Sequence, residues 1–87
     1  APERLAAAVA DGATAAASAT EVAERADVVL ASLPSSDAFI RLADETLLPA
    51  ARPGQIVIDL GTTTPPETRR LAAAFADRGA ALVDAPL

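Results

Sequence analysis

Two short apolar segments stand out along the chain, and each stops at turn-forming residues. The first covers residues 27–33 and ends at Pro34, and the second covers residues 55–60 and ends at Gly61. Segments that are apolar along their whole length, without alternation, are typical of parallel strands covered on both faces. Because ligands bind beyond the carboxyl ends of such strands, the pattern predicts a crevice beside Leu33-Pro34 and Gly61-Thr62.

Helical patterns separate these segments. Ser18 to Glu21 and Thr64 to Glu67 both fit a capping box, in which the hydroxyl and the glutamate bond reciprocally to the backbone. The predicted elements are a helix over 2–11, a weak alanine-built strand over 13–17, a helix over 18–26, a strand over 27–33, a helix from Ser35 or Ser36 that breaks at Leu47-Leu48-Pro49, a strand over 55–60, a helix over 64–79 and a strand over 81–84. The connections are too long for hairpins, so a parallel sheet with right-handed crossovers is expected.

The composition limits the chain to at most one small domain. It has 87 residues, of which 52% are hydrophobic, but much of that fraction is alanine and Phe39 and Phe75 are the only aromatic residues. Alanine favours helices and fills little core volume. We therefore expect another segment or subunit to supply part of the packing, and we interpret the 87 residues as part of a longer protein.

Missing residue types exclude several chemistries. The chain has no cysteine, histidine, tyrosine or lysine, which removes thiolate metal sites, most general bases and Schiff-base nucleophiles. The carboxylates show no metal-ligand spacing. A net charge of −5 argues against a nucleic-acid surface. No apolar run approaches the roughly 18 residues of a membrane span, and no secretory leader is visible, so a soluble cytoplasmic protein is expected.

The turn residues at the two strand ends are the candidate ligand contacts. Leu33-Pro34 either ends a strand or places an apolar wall against a flat cofactor. Gly61 is either a simple turn residue or a point of close approach for a ligand or another backbone segment. Thr62 lies next to the strand and is a candidate for a ligand contact, whereas Thr64 is explained as a helix cap.

Other polar residues have structural explanations. Asp59 and Asp84 close strands, where such side chains often accept hydrogen bonds from loop amides. Arg69-Arg70 is expected to lie on a solvated helix face near Glu67. The four glycines stand far apart, so the G-x-G-x-x-G fingerprint of dinucleotide-binding domains is absent.

An ordered series of short motifs nevertheless resembles the β-hydroxyacid dehydrogenases, which include 3-hydroxyisobutyrate dehydrogenase, tartronate semialdehyde reductase and 6-phosphogluconate dehydrogenase. The series covers nearly the whole chain. It consists of Gly12-Ala13-Thr14, Ser18-Ala19-Thr20-Glu21-Val22-Ala23, Asp27-Val28-Val29, Leu33-Pro34, Pro53-Gly54, Ile58-Asp59, Thr62-Thr63-Thr64-Pro65, Arg70-Leu71-Ala72 and Asp84-Ala85-Pro86.

The resemblance implies a fold and a set of contacts. Residues 1–87 would be a partial Rossmann-like, doubly wound α/β domain for NAD or NADP, without the first strand, the glycine-rich loop and the C-terminal helical domain. Leu33 and Pro34 would contact the dinucleotide, and Thr62 would lie near the nicotinamide. The family commonly has serines before that threonine, where this chain has Leu60-Gly61, and Ala38 replaces an asparagine that binds cofactor in some members.

The resemblance also implies an activity, to which this chain contributes no catalytic residue. The parent protein would oxidise the CH–OH group of a small β-hydroxy acid, or reduce the corresponding semialdehyde, with a lysine supplied elsewhere. It would be a homo-oligomer without nucleic-acid or membrane partners. The alternatives are a non-catalytic dinucleotide-binding relative and an imine or other reductase on the same scaffold.

Overall fold

A computed structural model describes residues 2–86 and contains the predicted parallel sheet. The elements are α1 (Pro2–Ala10), α2 (Ala19–Arg25), β1 (Val28–Ala31), α3 (Ser36–Leu42), a π-helical turn (Ala43–Leu47), α4 (Leu48–Ala50), β2 (Ile56–Asp59), α5 (Pro65–Ala76) and β3 (Ala81–Asp84). The sheet order is β1-β2-β3 with both pairs parallel, and Ala31, Asp59 and Asp84 are in register. The predicted α/β class with a Rossmann-like parallel sheet is confirmed.

The hydrophobic core lies on one face of the sheet. Val29 and Ala31 of β1 and Val57 of β2 are buried there, beneath helical residues that include Phe39, Leu47, Leu71 and Phe75. β1 and β2 bury alternate residues on this face, and β3 has Leu82 partly buried there, which is the pattern of a sheet with one covered side. Leu71 and Phe75 are fully buried because their i, i+4 spacing places both on the inner side of α5.

The other face of the sheet is apolar and largely exposed in the part of the chain that the structure describes. We call it the open face. Val28 is 50% exposed, Leu30 66% and Val83 44%. The sequence predicts helices on both faces of the sheet, but within residues 2–86 helices cover only one face. The open face consists of Val28, Leu30, Ile56, Ile58, Ala81 and Val83.

The predicted strand over residues 13–17 is wrong. Residues 13–16 have no regular structure, and only Ala16 among them is partly buried. Alanine has a low preference for strands, and none of the three strands in the described residues pairs with this segment. Because no neighbouring strand bonds to it, the segment lacks the backbone hydrogen bonds that define a strand.

The predicted break at Leu47-Leu48-Pro49 is wrong, because the helix that begins after Ser35 continues through these residues. It passes through the π-helical turn, in which Leu48 N–H donates to the Ala43 carbonyl, and continues to Ala50. Proline has no N–H and clashes with the carbonyl four residues earlier in an ordinary α-helix. The wider turn before Pro49 shifts the hydrogen-bonding pattern and lets the helix reach Ala50.

The helix N-termini confirm the predicted serine caps, but the capping box predicted at Thr64 to Glu67 is wrong. Ser18 Oγ accepts from Glu21 N–H over 3.2 Å, and Ser35 rather than Ser36 accepts from Ala38 N–H over 3.1 Å. The Glu21 carboxylate bonds to Ala17 N–H at 2.8 Å instead of to Ser18 N–H. Thr64 stands at the N-cap of α5 but makes no side-chain cap bond.

Two side chains from the turn before β2 satisfy the carbonyls at the end of α2. Arg52 donates to the carbonyl oxygens of Ala23, Glu24 and Ala26 at 3.0, 3.0 and 2.6 Å. Gln55, which is buried, donates from Nε2 to Ala23 and Ala26 at 2.7 and 3.1 Å. These bonds supply partners for carbonyls that a helix leaves unpaired, and they fix α2 against the start of β2.

Candidate functional site

The carboxyl ends of the three strands lie together, as the parallel arrangement requires. Beyond the strand ends, Leu60 N–H donates to the Ala31 carbonyl at 2.8 Å and Ala85 N–H donates to the Asp59 carbonyl at 3.0 Å. The loops that follow β1 and β2 therefore leave the sheet side by side. We call this region the carboxyl edge, and it is formed by residues 32–35, 60–64 and 85–86.

The predicted contact residues all lie at the carboxyl edge. Leu33 is half-buried and packs against the hydrophobic core, while Pro34 and Thr62 are exposed. A Cβ atom placed on Gly61 would be 3.6 Å from the Leu33 carbonyl oxygen, so the loops after β1 and β2 are in contact next to Thr62. The structure thus places Leu33 beside the segment that carries Thr62.

Asp59 organises the loop after β2. Its side chain is only 2% exposed. Oδ1 accepts a hydrogen bond from Gly61 N–H at 3.0 Å, and Oδ2 accepts one from Thr63 Oγ1 at 2.6 Å. The prediction that Asp59 accepts from a loop amide is confirmed, and its carboxylate points into the protein rather than toward a ligand. Asp84, its register partner, is exposed at the same edge.

The structure places no strict demand for glycine at position 61. Its φ angle is not positive, and a Cβ there would meet Asp59 Oδ1 at 3.4 Å and the Leu33 carbonyl oxygen at 3.6 Å. These are ordinary van der Waals distances, so neither the backbone conformation nor crowding demands glycine. The loop after β1 therefore lies in contact with Gly61, but not so close that a side chain is excluded there.

The N-terminus of α5 also faces this edge, but it is poor in hydrogen-bond donors. Pro65 and Pro66 occupy its first two positions, and proline has no N–H.

Arg70, one turn further along, bonds through both terminal nitrogens to the Asp44 carboxylate at 3.1 Å and through Nε to Glu67 at 2.9 Å. These bonds, first to Asp44 and then to Glu67, raise the pKa of Arg70 above its ordinary value. Arg70 belongs to an exposed ion-pair cluster, as predicted.

Leu33 also borders two open depressions beside the edge. One, of about 270 Å³, runs along β1 and includes Val22, Leu30 and Ser32. The other, of about 340 Å³, lies against α3 and includes Ala38 and Arg41. Neither depression includes Pro34 or Thr62, so the structure brings the three predicted residues to one edge without enclosing them in a single cavity.

The chemistry of the carboxyl edge fits the dinucleotide that the family resemblance implies. Leu33 and Pro34 provide apolar surface for a flat ring, and Thr62 provides an exposed hydroxyl that can donate and accept. The carboxylate of Asp59 is already occupied by Gly61 and Thr63. It is buried and turned inward, so it does not contact a ligand at the surface of the edge.

The described residues hold no group of three or more histidine, cysteine, aspartate or glutamate side chains placed to bind a metal ion. In the same part of the chain, every helix is too short or too polar to cross a membrane.

Thr63 is the site residue that the sequence analysis missed. It is 7% exposed, and its hydroxyl is the closest partner of Asp59. The signal was present as a threonine four residues after an aspartate that ends a strand. Thr63 could not be singled out from the sequence, because three consecutive threonines occur there and the sequence does not show which hydroxyl turns inward.

Sequence comparison with known proteins identifies a family and a relative of the chain. Residues 1–87 match the family described as the NAD binding domain of 6-phosphogluconate dehydrogenase. The chain is 41% identical over 81 residues to NAD-dependent L-serine dehydrogenase of Pseudomonas aeruginosa, covering 91% of this chain and 27% of that protein.

Two solved structures share the fold. Mycobacterium tuberculosis 3-hydroxyisobutyrate dehydrogenase, in a structure with L-serine, superposes with a TM-score of 0.81 and 34% identity over 99% of this chain and 29% of its own. Streptomyces aurantiacus imine reductase gives a TM-score of 0.76 and 26% identity over 97% of this chain and 29% of its own. The chain thus spans under a third of the length of these relatives.

The family match extends over the entire sequence, and the fold is the one that the ordered motifs predicted. The predicted cofactor class, NAD or NADP, agrees with a family of NAD binding domains and with the NAD dependence of the serine dehydrogenase. The chain belongs to the NAD-binding domain family of 6-phosphogluconate dehydrogenase.

Proposed function

We propose that the chain is the second half of the NAD(P)-binding domain of an oxidoreductase that acts on the CH–OH group of a small β-hydroxy acid. Leu33, Pro34 and Thr62 would contact the cofactor. The observation that carries this proposal is the meeting of the loops after β1 and β2 beside Thr62, in a chain of this family. The longer protein would be a homo-oligomer.

The substrate class is supported by the relatives. One is named for L-serine, and a second, named for 3-hydroxyisobutyrate, was solved with L-serine. Both molecules carry a carboxylate and a hydroxyl on the β carbon. We therefore propose a substrate of that kind, with L-serine and 3-hydroxyisobutyrate as the first compounds to test.

In the proposed reaction, this chain would bind the cofactor and another segment would supply the base. NAD or NADP, when bound, would supply the hydride acceptor for the carbon that bears the hydroxyl, and the hydroxyl proton would need a base. This chain has no histidine, lysine, tyrosine or cysteine to act as that base. Its contribution would be to bind and orient the cofactor through Thr62 and the Leu33-Pro34 surface.

The test compares the full-length protein with residues 1–87 alone. The full-length protein is expected to reduce NAD or NADP, followed at 340 nm, with L-serine or 3-hydroxyisobutyrate as substrate. The isolated chain is expected to give no turnover above background. Turnover by the isolated chain, or binding of neither dinucleotide by the full-length protein, would contradict the proposal.

A second candidate is an imine reductase, which the structural match to the Streptomyces enzyme favours. A panel of cyclic imines with NADPH, assayed beside the β-hydroxy acids, separates the two candidates. Reduction of imines without oxidation of any hydroxy acid would support the second candidate. Dinucleotide binding with neither activity would instead indicate a non-catalytic relative.

A further inference from the structure

We propose that Asp59 and Thr63 act as a positioning pair that holds Thr62 in place for the cofactor. The inference rests on the proposed function, because it assigns its role through the contact that Thr62 would make. Neither Asp59 nor Thr63 would touch the cofactor, since both side chains are buried. Their effect on binding would pass through Thr62.

The geometry places one hydrogen bond on each side of Thr62. Asp59 Oδ1 accepts from the N–H of Gly61, the residue before Thr62, and Asp59 Oδ2 accepts from the hydroxyl of Thr63, the residue after it. Thr62 itself is exposed. A single carboxylate thus fixes both neighbours of the exposed residue and restricts the backbone that carries it.

The bond from Thr63 is buried, and the bond from Gly61 is partly buried. Asp59 is 2% exposed and Thr63 is 7% exposed. Hydrogen bonds gain strength in such surroundings, and a bond of 2.6 Å from a hydroxyl is in the range seen for charged acceptors. The loop is therefore held more firmly than one fixed by solvent-exposed contacts.

Asp59 also ties the loop to the most constrained strand. It is the last residue of β2, the central strand, and it is in register with Ala31 of β1 and Asp84 of β3. Sites built on regular elements hold their geometry better than sites on free loops. The bond to Gly61 additionally keeps that residue against the Leu33 carbonyl, so Thr62 and Leu33 keep a fixed relation.

The test uses the full-length protein and a double-mutant cycle between Thr62 and Thr63. Dissociation constants are measured by NADH or NADPH fluorescence, with whichever nucleotide the wild type binds. Thr62→Val is expected to weaken binding about two- to twelvefold, the range for one lost hydrogen bond. Thr63→Val, which removes the hydroxyl and keeps the shape, is expected to weaken it by no more than that factor.

Non-additivity is the decisive expectation. If Thr63 acts through Thr62, the double variant Thr62→Val/Thr63→Val binds as Thr62→Val does, because the contact being positioned is already gone. Thr63→Ser retains the hydroxyl and is expected to bind like the wild type. Thr64→Val is the matched control, since Thr64 lies in the same loop and makes no side-chain cap bond.

Several outcomes would overturn the inference while leaving the proposed function intact. They are effects of Thr62→Val and Thr63→Val that multiply in the double variant, an unaltered constant for Thr63→Val, and a failure of Thr63→Ser to restore binding. An unaltered constant for Thr62→Val would overturn the inference and would also remove Thr62 from the proposed cofactor contacts. Should Thr63→Val not fold, Thr63→Ala, which cannot crowd its neighbours, replaces it in the cycle. A wild type that binds neither nucleotide would instead refute the proposed function.

Discussion

Arg52 donates a hydrogen bond to the carbonyl oxygen of Ala26 over 2.6 Å, across 26 residues of the chain. Its other bonds reach the carbonyls of Ala23 and Glu24. The guanidinium of Arg52 thus binds carbonyls at the end of α2, while the backbone of Arg52 lies in the turn before β2. The end of α2 is consequently coupled to the central strand of the sheet.

Replacing Arg52 by alanine should lower the free energy of unfolding by about 1–2 kcal/mol. Hydrogen bonds to charged groups contribute up to about 3 kcal/mol, but this side chain is 35% exposed and part of that value is lost to solvent screening. Urea unfolding followed by circular dichroism measures the change. Arg25→Ala is the control, because Arg25 is 65% exposed and forms only a surface ion pair with Glu21. Equal losses from the two substitutions would contradict the capping role.

Phe75 should be among the positions least tolerant of truncation. It is fully buried, and Phe75→Ala is expected to cost about 3–5 kcal/mol, since it removes a large side chain and leaves a cavity. Phe75→Leu refills part of that volume and should cost about 1–2 kcal/mol. Thermal unfolding of both variants tests the order. A Phe75→Leu loss as large as that of Phe75→Ala would mean that shape, rather than volume, governs this position.

Gly79→Ala should destabilise the protein by at least about 1 kcal/mol more than Gly54→Ala. Both glycines have positive φ angles, +75° and +87°, which an alanine adopts only with strain. A Cβ on Gly79 would also lie 3.2 Å from Pro53 Cα, whereas one on Gly54 meets nothing within 4 Å. The two variants differ mainly in this crowding, and denaturant midpoints compare them directly. Equal midpoints would show that the turn moves to admit the extra carbon.

Glu21 should contribute a stability that disappears in acid. The hydrogen bond from Ala17 N–H, followed by that from Arg25, lowers the pKa of Glu21 below its usual 4.5. A carboxyl whose pKa is lower in the folded state stabilises that state above its unfolded pKa. The contribution is then lost as the pH falls through the folded value. NMR titration of the side-chain carboxyl gives the pKa, and Glu21→Gln should remove this part of the acid dependence. A titration at or above 4.5 would contradict the assignment.

The sheet could be predicted from the sequence because its signals are local. Apolar runs that stop at Pro34 and Gly61 predict β1 and β2, although the strands end earlier, at Ala31 and Asp59, and serines at position 18 and at position 35 or 36 predict helix starts. Parallel pairing then follows from the length of the connections. These inferences need no knowledge of distant contacts, and the structure confirms them.

Other features depend on contacts that a linear pattern does not contain. The helix through Pro49 survives because the preceding turn widens, and Arg52 finds its partners 26 to 29 residues away. The same holds at the candidate site, where the inward rotation of Thr63 depends on the buried position of Asp59. The edge could be predicted from the strand ends, but the bonds that shape it could not.

The open face has a practical consequence for work with residues 1–87. The sheet exposes an apolar surface that includes Val28, Leu30 and Val83, and surfaces of this kind promote association between molecules. Refolding yield should therefore fall as the concentration of the isolated polypeptide rises, and mild detergent should restore it. Light scattering during dilution from urea would reveal this behaviour before any enzymatic assay is attempted.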